Sequence, residues 1–166
     1  MDRWAATVPI HPTTPEARVL TGIPGPIEDY PADTTRAALD MVVAGHMARF
    51  TSLRVILAHG GGFLPYAASR FAELNASVAA ERPAETLLQD MQRFYFDAPL
   101  VGPSGMPSLL AFAQPGRILF GTDYPYASEA VSRKFTRHLD QYPHLPPGKQ
   151  VEINTGARAL FQQLRV

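Results

Sequence analysis

The sequence contains no cysteine among its 166 residues. Disulfide bonds and thiolate metal sites are therefore excluded, and any metal ion has to be bound by histidine, aspartate or glutamate. The chain also lacks an excess of charge of either sign, because 15 basic residues balance 15 acidic ones. This balance gives no electrostatic basis for binding nucleic acid or an anionic membrane surface, so we expect neither as a partner.

Long apolar runs are absent as well, since none approaches the roughly 20 residues that a membrane-spanning helix needs. The first residues, Met1 to Trp4, form neither the basic nor the apolar segment of a secretory signal. We therefore expect a cytoplasmic protein. Apolar residues make up 46% of the chain and charged residues 18%, which is typical of a globular protein. The length suits a single domain over residues 1–166.

Four short apolar runs predict buried parallel strands, because they are apolar throughout rather than alternating. These runs cover residues 6–10, 53–58, 93–96 and 117–120. Helices are predicted over 34–50 (with Asp33, Thr34 and Thr35 as candidate caps), 65–81, 107–113, 128–141 and 148–164, and a long loop over 13–31. Strands that alternate with helices predict an α/β fold with a parallel sheet.

Polar residues follow each predicted strand, at the strand ends where α/β folds place their active sites. They are His11, His59, Asp97 and Asp123, one after each strand in turn. A neutral imidazole or a carboxylate can bind a divalent metal at about 2.0–2.2 Å. Three glycines follow His59, so the backbone there can adopt positive φ or let a ligand approach closely. The spacing therefore predicts a metal or catalytic site at this edge of the sheet.

Six segments carry a further signal, and they span residues 11–13, 30–37, 56–62, 94–97, 118–125 and 154–161. They resemble the amidohydrolase-related family of metal-dependent TIM-barrel enzymes. That family includes aminocarboxymuconate-semialdehyde, γ-resorcylate and 6-methylsalicylate decarboxylases, and it also contains hydrolases. The resemblance covers nearly the whole chain, in the same order and at similar spacing.

The resemblance implies a role for each matching residue. His11 and Asp123 correspond to metal ligands, and His59 and Asp123 to catalytic residues that act near the metal. Arg70 corresponds to an arginine that reaches a substrate carboxylate, in some members from a neighbouring subunit, and a guanidinium fork suits that group. We also assign Asp97 to substrate binding. The implied cofactor is a divalent metal, with zinc expected first and manganese or magnesium as alternatives.

The same resemblance implies only half of a barrel, namely strands 5 to 8 of a (β/α)8 fold that has eight. The family's His-x-His metal-ligand pair is absent from the sequence, which holds only five histidines. Three functions stay open: a decarboxylase of small aromatic or unsaturated carboxylic acids, a hydrolase of an amide, ester or lactone, and a non-catalytic fragment or interaction subunit. Because a half-barrel exposes apolar surface and strand edges, we expect a homo-oligomer, most simply a dimer.

Overall fold

The computed structural model describes residues 6–14, 22–79 and 82–161. A sheet of four parallel strands lies at its centre, and the strands are hydrogen-bonded in the order in which they occur along the chain. They are β1 (Thr7–Ile10), β2 (Arg54–Leu57), β3 (Tyr95–Asp97) and β4 (Ile118–Leu119). Sequential order winds the chain in one direction, as in a (β/α)8 barrel, whereas a doubly wound sheet reverses direction.

Helices connect the strands and cover the sheet. Two short 3₁₀ turns, Gly25–Ile27 and His59–Gly61, supplement them. The α-helices are α1 (Asp29–Val43), α2 (His46–Arg49), α3 (Leu64–Ala79), α4 (Ala84–Met91), α5 (Gly102–Phe112), α6 (Glu129–Asp140) and α7 (Lys149–Leu160). None of the helices in the described ranges is long and apolar enough to span a membrane.

All four predicted strands are present, with shifts of one or two residues at their ends. The largest shift is at β3, which begins at Tyr95 rather than at residue 93. Arg93 and Phe94 instead close the turn after α4, where their backbone N–H groups donate to carbonyls of the helix's last residues. The apolar runs were thus a sound guide to the sheet.

The predicted helix over 34–50 is wrong at its start and in its continuity. It begins at Asp29, so the candidate caps at Asp33 to Thr35 lie inside the helix, where Thr34 and Thr35 are buried. It also breaks after Val43, because Gly45 adopts a φ of 72° and starts the separate helix α2. The early start shortens the predicted 13–31 loop, of which residues 15–21 lie outside the described ranges.

The short helix α4 was not predicted. It follows Pro83 directly and buries Leu87 and Met91 one turn apart. A helix of eight residues makes little more than two turns, which is too short to show a helical period clearly. Helix α5 begins at Gly102, five residues before the predicted start at Pro107. The predicted end of α7 at residue 164 lies outside the described residues.

The hydrophobic core lies between the sheet and the helices. Phe94, Phe96 and Leu57 are fully buried on or beside the strands, and Met47 and Leu64 pack there from the helices. At the two edges of the sheet, Val8 and Phe120 remain 39% and 38% exposed. Helices therefore cover one face of the sheet, and apolar side chains remain partly exposed at its edges.

Candidate metal centre

Three of the predicted site residues meet at the carboxyl-terminal edge of the sheet. His11 follows β1 directly, His59 lies just beyond β2, and Asp123 lies just beyond β4. One ligand atom of each residue lies within 4.8 Å of the other two. Parallel strands all end at the same edge, so residues more than 100 positions apart in sequence become neighbours.

The backbone around two of these residues is unusual. His59 and Asp123 have φ values of 54° and 58°, a region that non-glycine residues rarely adopt. The Asp123 carbonyl accepts a hydrogen bond from the N–H of Ala127 at 2.8 Å, which closes a turn before α6. A cis peptide bond joins Tyr124 to Pro125 in the same turn. These turns direct both side chains across the strand ends.

The hydrogen bonding of His11 leaves one ring nitrogen available. Its Nδ1 atom lies 2.8 Å from the carbonyl oxygen of Pro12. A carbonyl oxygen only accepts, so Nδ1 carries the proton and Nε2 keeps its lone pair in the neutral ring. Nε2 lies 3.8 Å from Oδ1 of Asp123. The ring is therefore oriented as metal-bound histidines usually are.

The His59 side chain is largely buried between its two partners. Its Nε2 atom lies 3.6 Å from Oδ1 of Asp123, and its ring packs edge-on against that of His11 at 5.3 Å. Burial lowers the pKa of His59 below its ordinary value, an effect that the nearby Asp123 charge opposes and His11 reinforces. His59 is therefore predominantly neutral at pH 7. Its Nδ1 atom is buried and has no hydrogen-bond partner among the described residues.

The three donors fit a divalent metal ion. Two ligand atoms of a tetrahedral zinc ion lie about 3.3 Å apart when each is about 2.0 Å from the metal. The two histidine–aspartate separations, 3.6 and 3.8 Å, are slightly longer. The set of two neutral imidazoles and one carboxylate is a known zinc combination, and catalytic zinc sites use three protein ligands. His59 stands beside the two predicted metal ligands, close enough to bind the ion as a third donor or, when it does not bind, to exchange a proton with Asp123.

A cavity of about 700 Å³ opens beside these side chains. Tyr30 and Tyr126 stand within 6.2 Å and 5.8 Å of the His11 ring, centroid to centroid. The lining is mixed, with polar groups at one end and apolar groups around them: His11, Pro12, Thr13, Pro26, Ile27, Tyr30, His59, Leu100, Asp123, Tyr126, Ala127, Ser128, Val131 and Phe135. Such a space suits a small, partly apolar ligand with a polar group facing the histidines.

The other two predicted site residues lie elsewhere. Asp97 ends β3, and its Oδ1 accepts a hydrogen bond of 2.5 Å from the backbone N–H of His59. Burial raises the pKa of Asp97 to about 7, although the backbone N–H groups of His59 and Gly60 act in the opposite direction. Arg70 is exposed on α3, and its side chain makes no hydrogen bond or ion pair within the described part of the chain. The substrate-binding roles of Asp97 and Arg70 stay predictions.

A further contact at the site was missed from the sequence. Thr35 on α1 donates its hydroxyl to the Pro31 carbonyl at 2.7 Å and accepts the Phe63 N–H at 2.8 Å. It thereby ties the glycine-rich turn after β2 to α1. The prediction treated Thr35 as a helix cap, and no local pattern in the sequence distinguishes a threonine that bonds to a distant loop.

Comparison with known proteins identifies the family. The family model described as amidohydrolase matches residues 6–154. The chain belongs to the amidohydrolase family. The predicted resemblance is thereby confirmed. Among curated relatives, the decarboxylase macB of Penicillium terrestre is 36% identical over 181 residues, covering 100% of this chain and 53% of that protein. The 6-methylsalicylic acid decarboxylase of Penicillium expansum is 35% identical, and the match covers 99% of this chain and 52% of that protein.

Solved structures share the fold of this chain. A crystal structure of an amidohydrolase II superposes with a TM-score of 0.84 at 27% identity, over 96% of this chain and 52% of that one. A dihydroxybenzoic acid decarboxylase of Polaromonas sp. JS666, with bound manganese and an inhibitor, superposes with a TM-score of 0.82 at 22% identity. The match covers 99% of this chain and 52% of that one. The chain thus spans about half the length of the relatives it matches. Its four βα units are part of a TIM barrel, as predicted.

Proposed function

We propose that this chain carries the metal-binding edge of a decarboxylase that acts on small aromatic or unsaturated carboxylic acids. The observation that carries the proposal is the convergence of His11, His59 and Asp123 beside a cavity of about 700 Å³. The choice of decarboxylation over other amidohydrolase reactions is supported by the names of the relatives that cover almost the whole chain.

In the proposed site, His11 and Asp123 hold a divalent metal, and His59 lies beside them. Bound there, the metal would act as a Lewis acid toward the substrate carboxylate and an adjacent oxygen. The His11 Nδ1 contact with Pro12 fixes the ring orientation, so its Nε2 lone pair needs no reorientation on binding. Zinc is the first choice, and manganese or magnesium are the alternatives.

Replacing the carboxylate by hydrogen needs one proton at the carbon that loses carbon dioxide. Asp123 and His59 are the proposed carriers, and their facing atoms are 3.6 Å apart. The lowered pKa of His59 makes it neutral at pH 7, so it can accept a proton and pass it on. The electron pair of the broken C–C bond stays on the carbon that receives this proton.

The cavity walls would hold the ring of the substrate. Tyr30, Tyr126 and Phe135 contribute aromatic surface, and Ile27 and Leu100 contribute aliphatic surface. A flat aromatic acid buries its ring against such walls while its carboxylate faces the two histidines. A cytoplasmic location and a homodimer complete the proposal, and both rest on the sequence-based expectations given above.

Release of carbon dioxide from hydroxybenzoates tests this function directly. The purified chain, loaded with zinc or manganese, is incubated with salicylate derivatives and, in parallel, with lactones and amides. We expect carbon dioxide release that Asp123→Asn reduces at least about 100-fold, since it removes a metal charge and a proton carrier. Asp40→Asn, an exposed aspartate on α1, is the matched control. Turnover of lactones or amides alone would instead indicate a hydrolase, and absence of any turnover a non-catalytic chain.

A further inference from the structure

Asp97 stands behind the proposed metal centre rather than inside its cavity. The register pairs Leu57 of β2 with Phe96 of β3, so Asp97 lies level with the residues that leave β2. Its carboxylate reaches across and accepts the His59 N–H at 2.5 Å. Asp97 is not among the described residues that line either the 700 Å³ cavity or the neighbouring 340 Å³ cavity. Its contact is therefore with the main chain that carries a proposed catalytic side chain.

The backbone that Asp97 holds is strained. His59 has a φ of 54°, which lies in the left-handed region that is unfavourable for a non-glycine residue. Such a conformation persists only where surrounding contacts fix it. Ala58, one residue earlier, still donates to the Ile10 carbonyl of β1. At His59 the N–H turns to the other neighbouring strand, where Asp97 supplies the acceptor.

The glycine turn that follows His59 is tightly packed against neighbouring side chains. A Cβ atom at Gly60 would lie 2.7 Å from the Val101 side chain, and one at Gly61 would lie 2.8 Å from the Phe96 ring. Beyond the glycines, Thr35 accepts the Phe63 N–H. Side chains from other elements therefore bind the turn at both ends, Asp97 at the end that bears the imidazole.

We propose that Asp97 is a positioning residue, whose carboxylate fixes the His59 backbone so that the imidazole faces Asp123. The role depends on an acceptor oxygen at this place and not on contact with a substrate. The proposal rests on the proposed function for its catalytic meaning, because His59 matters to turnover only if the site is active. The structural part of the proposal is that Asp97 sets the direction of the His59 ring, and this part can be tested without turnover.

The test compares Asp97→Asn, which keeps an acceptor oxygen, with Asp97→Ala, which removes it. The measurement is the NMR resonance of the His59 Cε1–Hε1 group, with His46, His138 and His144 as internal controls. We expect the alanine variant to shift the resonance of His59, together with that of His11 whose ring packs against it, and to leave the three control resonances unchanged. The asparagine variant should restore the His59 resonance to near the wild-type position. Asp40→Ala, at an exposed position on α1, should shift none of them.

In metal-loaded protein that turns over, Asp97→Ala should lower kcat at least about 10-fold with KM within about 3-fold, and Asp97→Asn should recover most of kcat. An unshifted His59 resonance in Asp97→Ala, or an asparagine variant that behaves like alanine, would overturn the proposal. If Asp97→Ala does not fold, Asp97→Ser replaces it, because the shorter side chain cannot reach the His59 N–H. A wild-type chain without decarboxylase activity would contradict the proposed function and leave the resonance test intact.

Discussion

At the scale of single residues, backbone strain coincides with the proposed chemistry. His59 and Asp123 are two of three non-glycine residues with positive φ in the described ranges, and their side chains face each other at 3.6 Å. Left-handed backbone costs roughly 1–2 kcal/mol at each position. Strained backbone of this kind is retained where it gives a side chain a direction that an unstrained turn could not give it.

Gly62 provides a residue-scale test of how tightly the turn after β2 is held. Its φ is 62°, and a Cβ atom would lie 2.1 Å from the Pro31 carbonyl oxygen. Gly45 has a φ of 72° with nothing within 4 Å of the same position. Gly45→Ala should therefore lower the free energy of unfolding by about 1–2 kcal/mol. Gly62→Ala should cost about 1–3 kcal/mol more, through overpacking. Urea denaturation measures the free energy of unfolding of both variants. Equal losses in the two would show that the backbone around Gly62 shifts easily to accommodate a Cβ atom.

The residues of the site could be predicted because each follows a recognisable apolar run. The convergence of His11, His59 and Asp123 followed from the rule that parallel strands end at one edge, whereas their metal and catalytic roles were implied by the family resemblance. The contact of Asp97 with the His59 backbone could not be predicted, because it depends on the register between β2 and β3. The hydrogen bond of Thr35 could not be predicted for a similar reason, because its partner Phe63 is 28 residues away in sequence.

At the scale of elements, hydrogen bonds from side chains connect the ends of helices to the sheet. Glu152 in the first turn of α7 accepts the Lys149 ammonium at 2.8 Å and the Gly116 N–H at 2.5 Å, just before β4. The Lys149 hydrogen bond is the main cause of the lowered pKa of Glu152, and the Gly116 N–H adds to it. This contact anchors the last helix to the strand that leads to Asp123.

A pH-dependent stability follows from the Glu152 anchor. Because folding lowers its pKa, the stabilisation is present above the ordinary value of 4.5 and is lost as the pH falls through the folded-state pKa. Glu152→Gln should lower the free energy of unfolding by about 1 kcal/mol at pH 7, allowing for its partial exposure. The difference from wild type should shrink as the pH falls below 4.5 and vanish once the pH lies below the folded-state pKa.

The control for this prediction is Glu129→Gln on α6. Glu129 pairs with Arg133 at the surface, where the two side chains are 67% and 71% exposed. Such pairs contribute about 0.3–0.5 kcal/mol, so this variant should stay close to wild type at every pH. Chemical denaturation at several pH values provides the comparison. A Glu152→Gln difference that persists undiminished at low pH would show that the carboxylate charge is not the cause.

Element boundaries could be predicted less well than element types. Every strand was found because a buried parallel strand is apolar on both faces. The start of α1 was missed because Pro31 and Asp33 are typical of loops and caps. In the structure the helix runs through them, with Thr34 and Thr35 buried and Thr35 hydrogen-bonded to the turn after β2. The break at Gly45 depends on a left-handed backbone, which a glycine permits but does not require.

At the scale of the whole molecule, the four described βα units form part of a barrel. Among the described strands, β1 and β4 have one neighbour each. The fold superposes on solved structures of which the chain covers about half. A complete (β/α)8 barrel has eight such units, so a sheet of four leaves two edge strands with unpaired backbone groups.

Association of the chain with itself is the expected consequence. Val8 and Phe120 are partly exposed at the two edges, and unpaired edges together with apolar surface favour association. Light scattering at micromolar concentration should give twice the mass of one chain, in keeping with a two-fold dimer. A stable, well-folded monomer would mean that the sheet edges are protected within a single chain.

Metal binding tests the central claim most directly. Zinc and manganese are titrated calorimetrically into the metal-free chain, into His11→Ala and Asp123→Asn, and into His144→Ala as an exposed histidine control. We expect one ion per chain with a Kd of about 1 μM or below, a loss of at least about 100-fold in the first two variants, and no change in the third. Absence of binding in the wild-type chain, or binding that His11→Ala and Asp123→Asn leave unchanged, would contradict a metal centre at these residues.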